Sequence, residues 1–342
     1  TVDALRADHV GPQGDRASLT PHLDELRSQS VHFRCACSPT SYTWGAFASI
    51  FLSAYPAAVT NRRGLLVSPR PTLAQLLQQH GYATAGFNSN PFISASFGYD
   101  RGFDLLDDGL VLKSSRIPSQ LYPLLAKAQR MVMRQPYLSA AAINRKAFRW
   151  LRQGRKGHTP FFLWLHYMDV HGPYQSRRGL TYRNKYRAEW LWHKALVAPE
   201  DITPDEHDEL VRCYREEIGY VDRHIGLLLD QLRELGVYDD TIITVCSDHG
   251  DEFREHGRYA HWRQLHDELI RVLLIIRHPD GQRGLSIDSP VGLVDILPTL
   301  ADMLGLEGDS SQFVGQSLWP VVRDGDTSGL SGFVVGDATP DR

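Results

Sequence analysis

No stretch of this 342-residue sequence strings together the roughly 18 apolar residues that a membrane-crossing helix needs. The longest runs, around Phe161–Leu165 and Val272–Ile276, have strand length, which argues against a membrane span in this stretch. Charge of one sign is also missing. Lys plus Arg (37) against Asp plus Glu (40) leaves −3, so no global positive field would draw nucleic acid or an anionic membrane. Cysteine is scarce: Cys35, Cys37, Cys213 and Cys246 are too few for a disulfide framework. Cys35-Ala36-Cys37 lacks the second pair that a zinc site would add, so all four are read as free thiols. Repeats and low-complexity segments are absent, as are an initiator Met and a signal-peptide pattern. Thr1-Val2-Asp3 therefore reads as the end of a strand begun upstream, which leaves localisation open.

What is present is the composition of a folded chain, 42% hydrophobic, 10% aromatic and 23% charged, with length for one large domain or two ordinary ones. Four segments read as strands ending in polar tips. Thr84–Phe87 runs into Asn88-Ser89-Asn90, Phe161–Leu165 into the segment carrying Asp169 and His171, and Thr241–Cys246 into Ser247-Asp248-His249-Gly250; Val272–Ile276 is the fourth. They are nearly continuous apolar runs, as expected where both faces of a sheet are covered. Helical patterns lie between them. Thr20-Pro21 opens one, Pro71–His80 stops at Gly81, and Pro290–Leu304 is amphipathic. The longest starts at a capping box, Thr203-Pro204-Asp205-Glu206, and places Leu210, Tyr214, Ile218, Val221, Ile225, Leu228, Leu232 and Leu235 on one face before Gly236. Alternating strands and helices imply an α/β sandwich around a mostly parallel sheet, with its site at the carboxyl ends of the strands. Residues 113–150 and 175–205 read as insertions, and the aromatics of the second (Tyr182, Tyr186, Trp190, Trp192) as ordinary helical packing rather than a pocket roof.

The chemistry concentrates at those strand ends. Asp248 and His249, side by side after a buried strand, are poor core material unless they share a ligand. A carboxylate oxygen and an imidazole nitrogen suit a divalent cation such as zinc, manganese, calcium or magnesium. Asp3 offers a further carboxylate, and Asp169 and His171 lie two residues apart before Gly172-Pro173. His256, His261 and His266 follow closely; each alone reads as a surface or capping histidine, and the joint pattern favours His261. Thr43 stands at or near the N-terminus of a small, apolar helical run, where free backbone N–H groups favour an anion or an alkoxide. Beside a metal, its hydroxyl becomes a nucleophile.

Together these pieces resemble the sulfatase family of the alkaline-phosphatase superfamily. Val2-Asp3 through Gly11 and Thr20-Pro21-His22-Leu23-Asp24 are similar to its first metal segment and first helix, and Ser247 through Gly257 to its second metal segment. Gly98 through Asp104, His171 through Tyr174, Tyr220-Val221-Asp222 and Val294 through Thr299 follow its pattern in the same order. The resemblance runs from residue 1 to about residue 322, making 1–322 a catalytic domain and 323–342 a linker cut short. It implies a three-layer α/β sandwich, a divalent metal, and a small-molecule, glycan or lipid-type sulfate or phosphate ester as substrate.

The nucleophile departs from the family. Sulfatases proper carry Cys-x-Pro-x-Arg, or Ser at its head, converted to formylglycine. Cys37-Ser38-Pro39 lacks the Arg and lies six residues early; counting twelve back from Tyr55 points to Thr43. No formylglycine is expected from Thr, which is what related metal-dependent phosphotransferases and phosphodiesterases carry. Ala4 also replaces a second Asp ligand that many sulfatases have. The resemblance thus implies Asp3, Asp248, His249 and Thr43 on one cation, and His171 and His261 (often Lys in the family) at the transferring group and leaving oxygen. Asn90 is a further candidate for an anion contact, and the resemblance leaves open whether Asp169 and His171 complete a second metal site or only contact the substrate. The expected activity is hydrolysis of a sulfate or phosphate ester; a phosphoglycerol- or phosphoethanolamine-type transferase and a non-catalytic binding protein are the alternatives.

Overall fold

A computed structural model describes residues 1–12, 17–109, 137–154, 159–175, 177, 182–306, 310–332 and 334–336. The chain divides into two compact units that interleave along the sequence: Thr1 with Thr43–Met168 and Gly292–Trp319, and Val2–Tyr42 with Asp169–Val291 and Pro320–Arg342. Neither is a continuous stretch.

In the first unit, three strands run parallel in the order Leu105–Asp107, Ala83–Phe87, Phe161–Leu165. The Thr1 amino group donates to the Leu165 carbonyl, and Tyr167 N–H to that of Thr1, so the first residue lines the sheet edge. Gly86 sits where a Cβ would come within 2.7 Å of Leu106 and 3.0 Å of Trp164, so the central strand is closely packed by its neighbours. The helices Leu73–Gln79 and Ala140–Arg149 pack on these strands. The first has a capping box that the sequence reading passed over: Thr72 Oγ1 accepts from Gln75 N–H, and Gln75 returns the bond. Its Leu73, Leu76 and Leu77 form a core with Leu297 of the helix Ile296–Met303. The helix Thr43–Leu52 is buried along nearly its whole length, as its Gly, Ala and Phe content permits. Phe47 and Phe51 meet the Trp164 ring edge-on at 5.3 and 5.2 Å.

In the second unit, the strand order is Leu285–Ile287, Val31–Phe33, Leu274–Arg277, Ile243–Cys246. Only the first pair is parallel; Leu274–Arg277 runs antiparallel to both of its neighbours. Val2 bridges Ser247 in parallel, its N–H donating to the Cys246 carbonyl. The class is therefore the expected one, α/β with a parallel sheet flanked by helices, and the second unit adds antiparallel pairing. The strand expected at Val272–Ile276 divides into Arg271–Val272, paired with Ala36–Cys37, and Leu274–Arg277. The reason lies at Leu273, whose N–H goes to the Ser247 hydroxyl and whose carbonyl accepts Ser247 N–H.

The helix Pro204–Glu234 has the expected capping box and stops at Gly236, whose φ of 65° suits glycine. Its buried face carries Leu229 rather than Leu228. Against it lies Pro21–Ser28, and Asp222 of the long helix accepts from the N–H groups of His22 and Leu23 at 3.2 and 2.8 Å. One buried carboxylate thus caps a neighbouring helix across the interface. We expect Asp222→Ala to cost about 1–3 kcal/mol in urea unfolding, as for a lost cap with donors left buried.

Of the two expected insertions, residues 110–136 lie outside the described residues. The helix Tyr182–Val197 of the other exposes Tyr186 and Trp190 and lays Trp192 against Gly172 and Tyr174. Among the described residues, no helix is long and apolar enough to cross a membrane.

Candidate active site

The segment after Ile243–Cys246 supplies most of one cluster in the second unit. Asp248 Oδ1 accepts from the N–H groups of His249 and Ala4, at 3.0 and 3.1 Å. To aim its N–H there, Ala4 adopts φ 53°, the left-handed region that costs an alanine about 1 kcal/mol. Tyr214 of the long helix holds that turn, donating to the Ala4 carbonyl and accepting from Arg6 N–H. Packing also fixes Gly250, where a Cβ would fall 2.1 Å from the Glu268 carbonyl oxygen.

Asp3, Asp248 and His249 are wholly buried. His249 Nε2 lies 3.7 Å from Asp3 Oδ1 and 3.5 Å from Asp248 Oδ2. Its Nδ1–H donates to the Gly250 carbonyl, so the lone pair of Nε2 faces the carboxylates, as in metal-ligating histidines. Burial, with His261 nearby, pushes His249 down to about 4, which keeps the ring neutral. Two carboxylates and a neutral imidazole nitrogen in a dry site make a negative donor set that calls for a cation. These residues fit a divalent metal of the oxygen-preferring or borderline kind.

A second layer orients His261. Its Nδ1–H donates to Asp251 Oδ1 at 2.7 Å, and Asp251 Oδ2 accepts from the Tyr174 hydroxyl. The His261 ring lies 4.2 Å from that of His249 and 5.2 Å from that of His171, centroid to centroid. Burial opposes charge on His261, but the bond to Asp251 together with the carboxylate charges of Asp251, Asp3 and Asp248 holds the ring above its ordinary value. His171, donating Nδ1–H to the Gly172 carbonyl, is pushed down by burial. One histidine is thus set towards the charged form and the other towards the neutral form.

Asp169 pairs with Arg177 at 2.8 Å, and Glu217 takes the same guanidinium, whose Cζ lies 3.7 Å from the centroid of the Tyr220 ring. Burial, with Asp169 sharing the cation, pushes Glu217 up to about 8. Asp251, Tyr174, Tyr214 and Arg177 were missed in the sequence. Asp251 had a readable signal, a carboxylate two residues beyond His249 in the same strand-end run.

In the first unit, Thr43 is the first residue of its helix and is buried. Asn90 Oδ1 accepts from Phe92 N–H, and its Nδ2 donates to the Met168 sulfur at 3.6 Å. His166, at the end of Phe161–Leu165, sets Nδ1 3.0 Å from Thr1 Oγ1. All four cysteines are free, as expected. Burial and the Asp267 carboxylate push the Cys37 thiol up, the opposite of what an activated nucleophile needs.

The fold is shared with solved hydrolases and synthases. It superposes on a phosphonate monoester hydrolase of Agrobacterium radiobacter with a TM-score of 0.73 at 20% identity, covering 96% of this chain and 77% of that one. The lipoteichoic acid synthase LtaP of Listeria monocytogenes gives 0.64 at 19%, covering 93% and 73%. At such identities the likeness speaks for the fold alone.

Residues 1–306 match the sulfatase family model, and the chain belongs to the sulfatase family. It is 29% identical over 329 residues to an ulvan-active sulfatase of Formosa agariphila, covering 90% of this chain and 62% of that protein. The chain therefore spans about three fifths of the length of this relative.

Proposed function

We propose that the chain is the catalytic part of a metal-dependent hydrolase that cleaves a sulfate or phosphate ester through a covalent intermediate on Thr43. The observation that carries this reading is the wholly buried group of Asp3, Asp248 and His249, with His261 held beside it by Asp251. A divalent cation on Asp3, Asp248, His249 and the Thr43 oxygen would neutralise charge on the non-bridging oxygens and lower the pKa of the Thr43 hydroxyl. Thr43 Oγ, its proton lost to solvent beforehand, attacks sulfur or phosphorus in line and the bond to the leaving oxygen breaks. His261, whose protonated form Asp251 favours, gives that oxygen its proton, and His171, set towards the neutral form with its Nδ1–H on the Gly172 carbonyl, contacts the transferring group. Water then attacks the sulfur or phosphorus, giving a proton to the now neutral His261, and the bond to Thr43 Oγ breaks, freeing the Thr43 oxygen for the next turn. Asn90, Asp169 and His171 are the proposed substrate contacts.

Threonine shifts weight towards phosphorus. A formylglycine hydrate expels sulfate through its own geminal hydroxyl, whereas a threonine ester must be opened by water at the central atom. Family membership weighs for sulfate, and the Formosa relative is named for activity on ulvan. The deciding experiment is turnover of aryl sulfates, ulvan, phosphate mono- and diesters and phosphonates with several metals. Release of free alcohol without an added acceptor supports hydrolysis; turnover only with an acceptor alcohol would replace it by transfer. No turnover of any ester with any metal would remove the proposal.

Asp251 touches no substrate in this scheme and acts by positioning His261. Asp251→Asn should lower kcat about 10–100-fold with little change in KM, as orienting partners commonly do. It should also move the alkaline fall in kcat to lower pH, because His261 then loses its proton sooner. Equal loss in kcat and KM with an unchanged pH profile would mean a merely structural residue.

A further inference from the structure

A second group of metal-ligating side chains lies outside the cluster just described. His256, in the turn between the paired strands Glu252–Phe253 and Tyr259–Ala260, faces His266 and Glu268 at the start of the helix Asp267–Ile270. One ligand atom from each lies within 4.8 Å of the other two. His256 Nε2 is 3.1 Å from Glu268 Oε1, and the two imidazoles stack with centroids 3.6 Å apart and planes within 14°. The Glu268 side chain is nine-tenths buried, yet its Oε1 accepts no hydrogen bond among the described residues. A buried carboxylate oxygen without a hydrogen bond is costly unless a cation meets it.

Both arms are built before any ion arrives. Glu252 Oε1 accepts from the backbone N–H groups of His256 and Arg258 at 2.7 and 2.9 Å, which fixes the turn. On the other arm, the His266 carbonyl accepts Leu269 N–H, and the Leu269 carbonyl accepts Gly250 N–H. His256 is almost half exposed and gives an ion a way in.

We propose that His256, His266 and Glu268 form a separate transition-metal site, best suited to zinc. Two imidazole nitrogens and one carboxylate are a zinc donor set; at bonds of about 2.0–2.2 Å, three protein ligands leave a fourth position for water. That set differs from the two-carboxylate, one-imidazole cluster of Asp3, Asp248 and His249. The segment from Arg254 to His266 carries His261, so an ion held by His256 and His266 ties down both ends of the loop that bears it. The site stands whether or not the chain hydrolyses an ester.

The test is zinc binding by titration calorimetry and by metal analysis after equilibrium dialysis. The intact chain, His256→Ala and His266→Gln are compared, with folding checked by circular dichroism. Each variant is expected to bind one zinc ion fewer per chain, or to bind it at least about 100-fold more weakly, and to lose the zinc-dependent rise in Tm. Should His256→Ala not fold, zinc protection of both histidines in the intact chain from diethyl pyrocarbonate, read by peptide mass, serves instead. Zinc stoichiometry and affinity unchanged in both variants, or histidines modified equally with and without zinc, would overturn the proposal.

Discussion

Thr43→Ala is expected to lower kcat by roughly 10³-fold or more on whichever ester the chain turns over, the scale seen when a covalent nucleophile is removed. Cys37→Ala is expected to leave kcat within about twofold. Cys37 matches part of the family's motif and Thr43 its spacing, and their surroundings differ. Thr43 opens a helix, where backbone N–H groups and the dipole favour negative charge on its oxygen. Burial, with the Asp267 carboxylate beside it, pushes the thiol of the half-buried Cys37 up. Threonine also cannot give the aldehyde on which a formylglycine mechanism relies. Steady-state kinetics of the two variants check the assignment. A dead Cys37→Ala beside an active Thr43→Ala would move the nucleophile six residues upstream.

Asp248→Asn should release the metal and lower turnover by about 10³-fold. Asparagine keeps an oxygen that can accept the N–H groups of Ala4 and His249, so the turn stays folded and only the charge is lost. A divalent ion in such a site supplies several kcal/mol of charge stabilisation, and each 1.4 kcal/mol is a factor of ten. Chelation of the intact chain should mimic the variant, and adding back divalent metal should rescue the chain but not the variant. Metal content by plasma mass spectrometry, read with activity, checks both. A variant that keeps both metal and turnover would take Asp248 out of the ligand set.

Much of this was readable in the sequence wherever a segment carried its own signal. Phe161–Leu165 is the strand its apolar run implies, and Thr203 and Glu206 announce the long helix by mutual hydrogen bonds that need no tertiary context. Val31–Phe33 was not legible. Three residues with a half-buried His32 in the middle hold their place only through partners distant in sequence, at Leu274–Arg277 and Leu285–Ile287. Strand direction was equally hidden, because antiparallel pairing of Ile243–Cys246 with Leu274–Arg277 leaves both strands as apolar as parallel pairing would. At the site, Asp3, Asp248 and His249 stood out as charges placed where burial is expected. The supports did not. Tyr214 reads as one apolar position of the long helix and Tyr174 only as the end of a family-like segment, and their hydroxyls, on the Ala4 carbonyl and Asp251, show their second role.

The central claim is that the transferring group rides on Thr43. Acid quench of the metal-loaded chain during turnover, followed by peptide mass spectrometry, tests it directly. The account predicts a sulfo or phospho adduct on Thr43 that disappears once substrate is exhausted. An adduct on another residue, or full turnover with no adduct at any quench time, would contradict it.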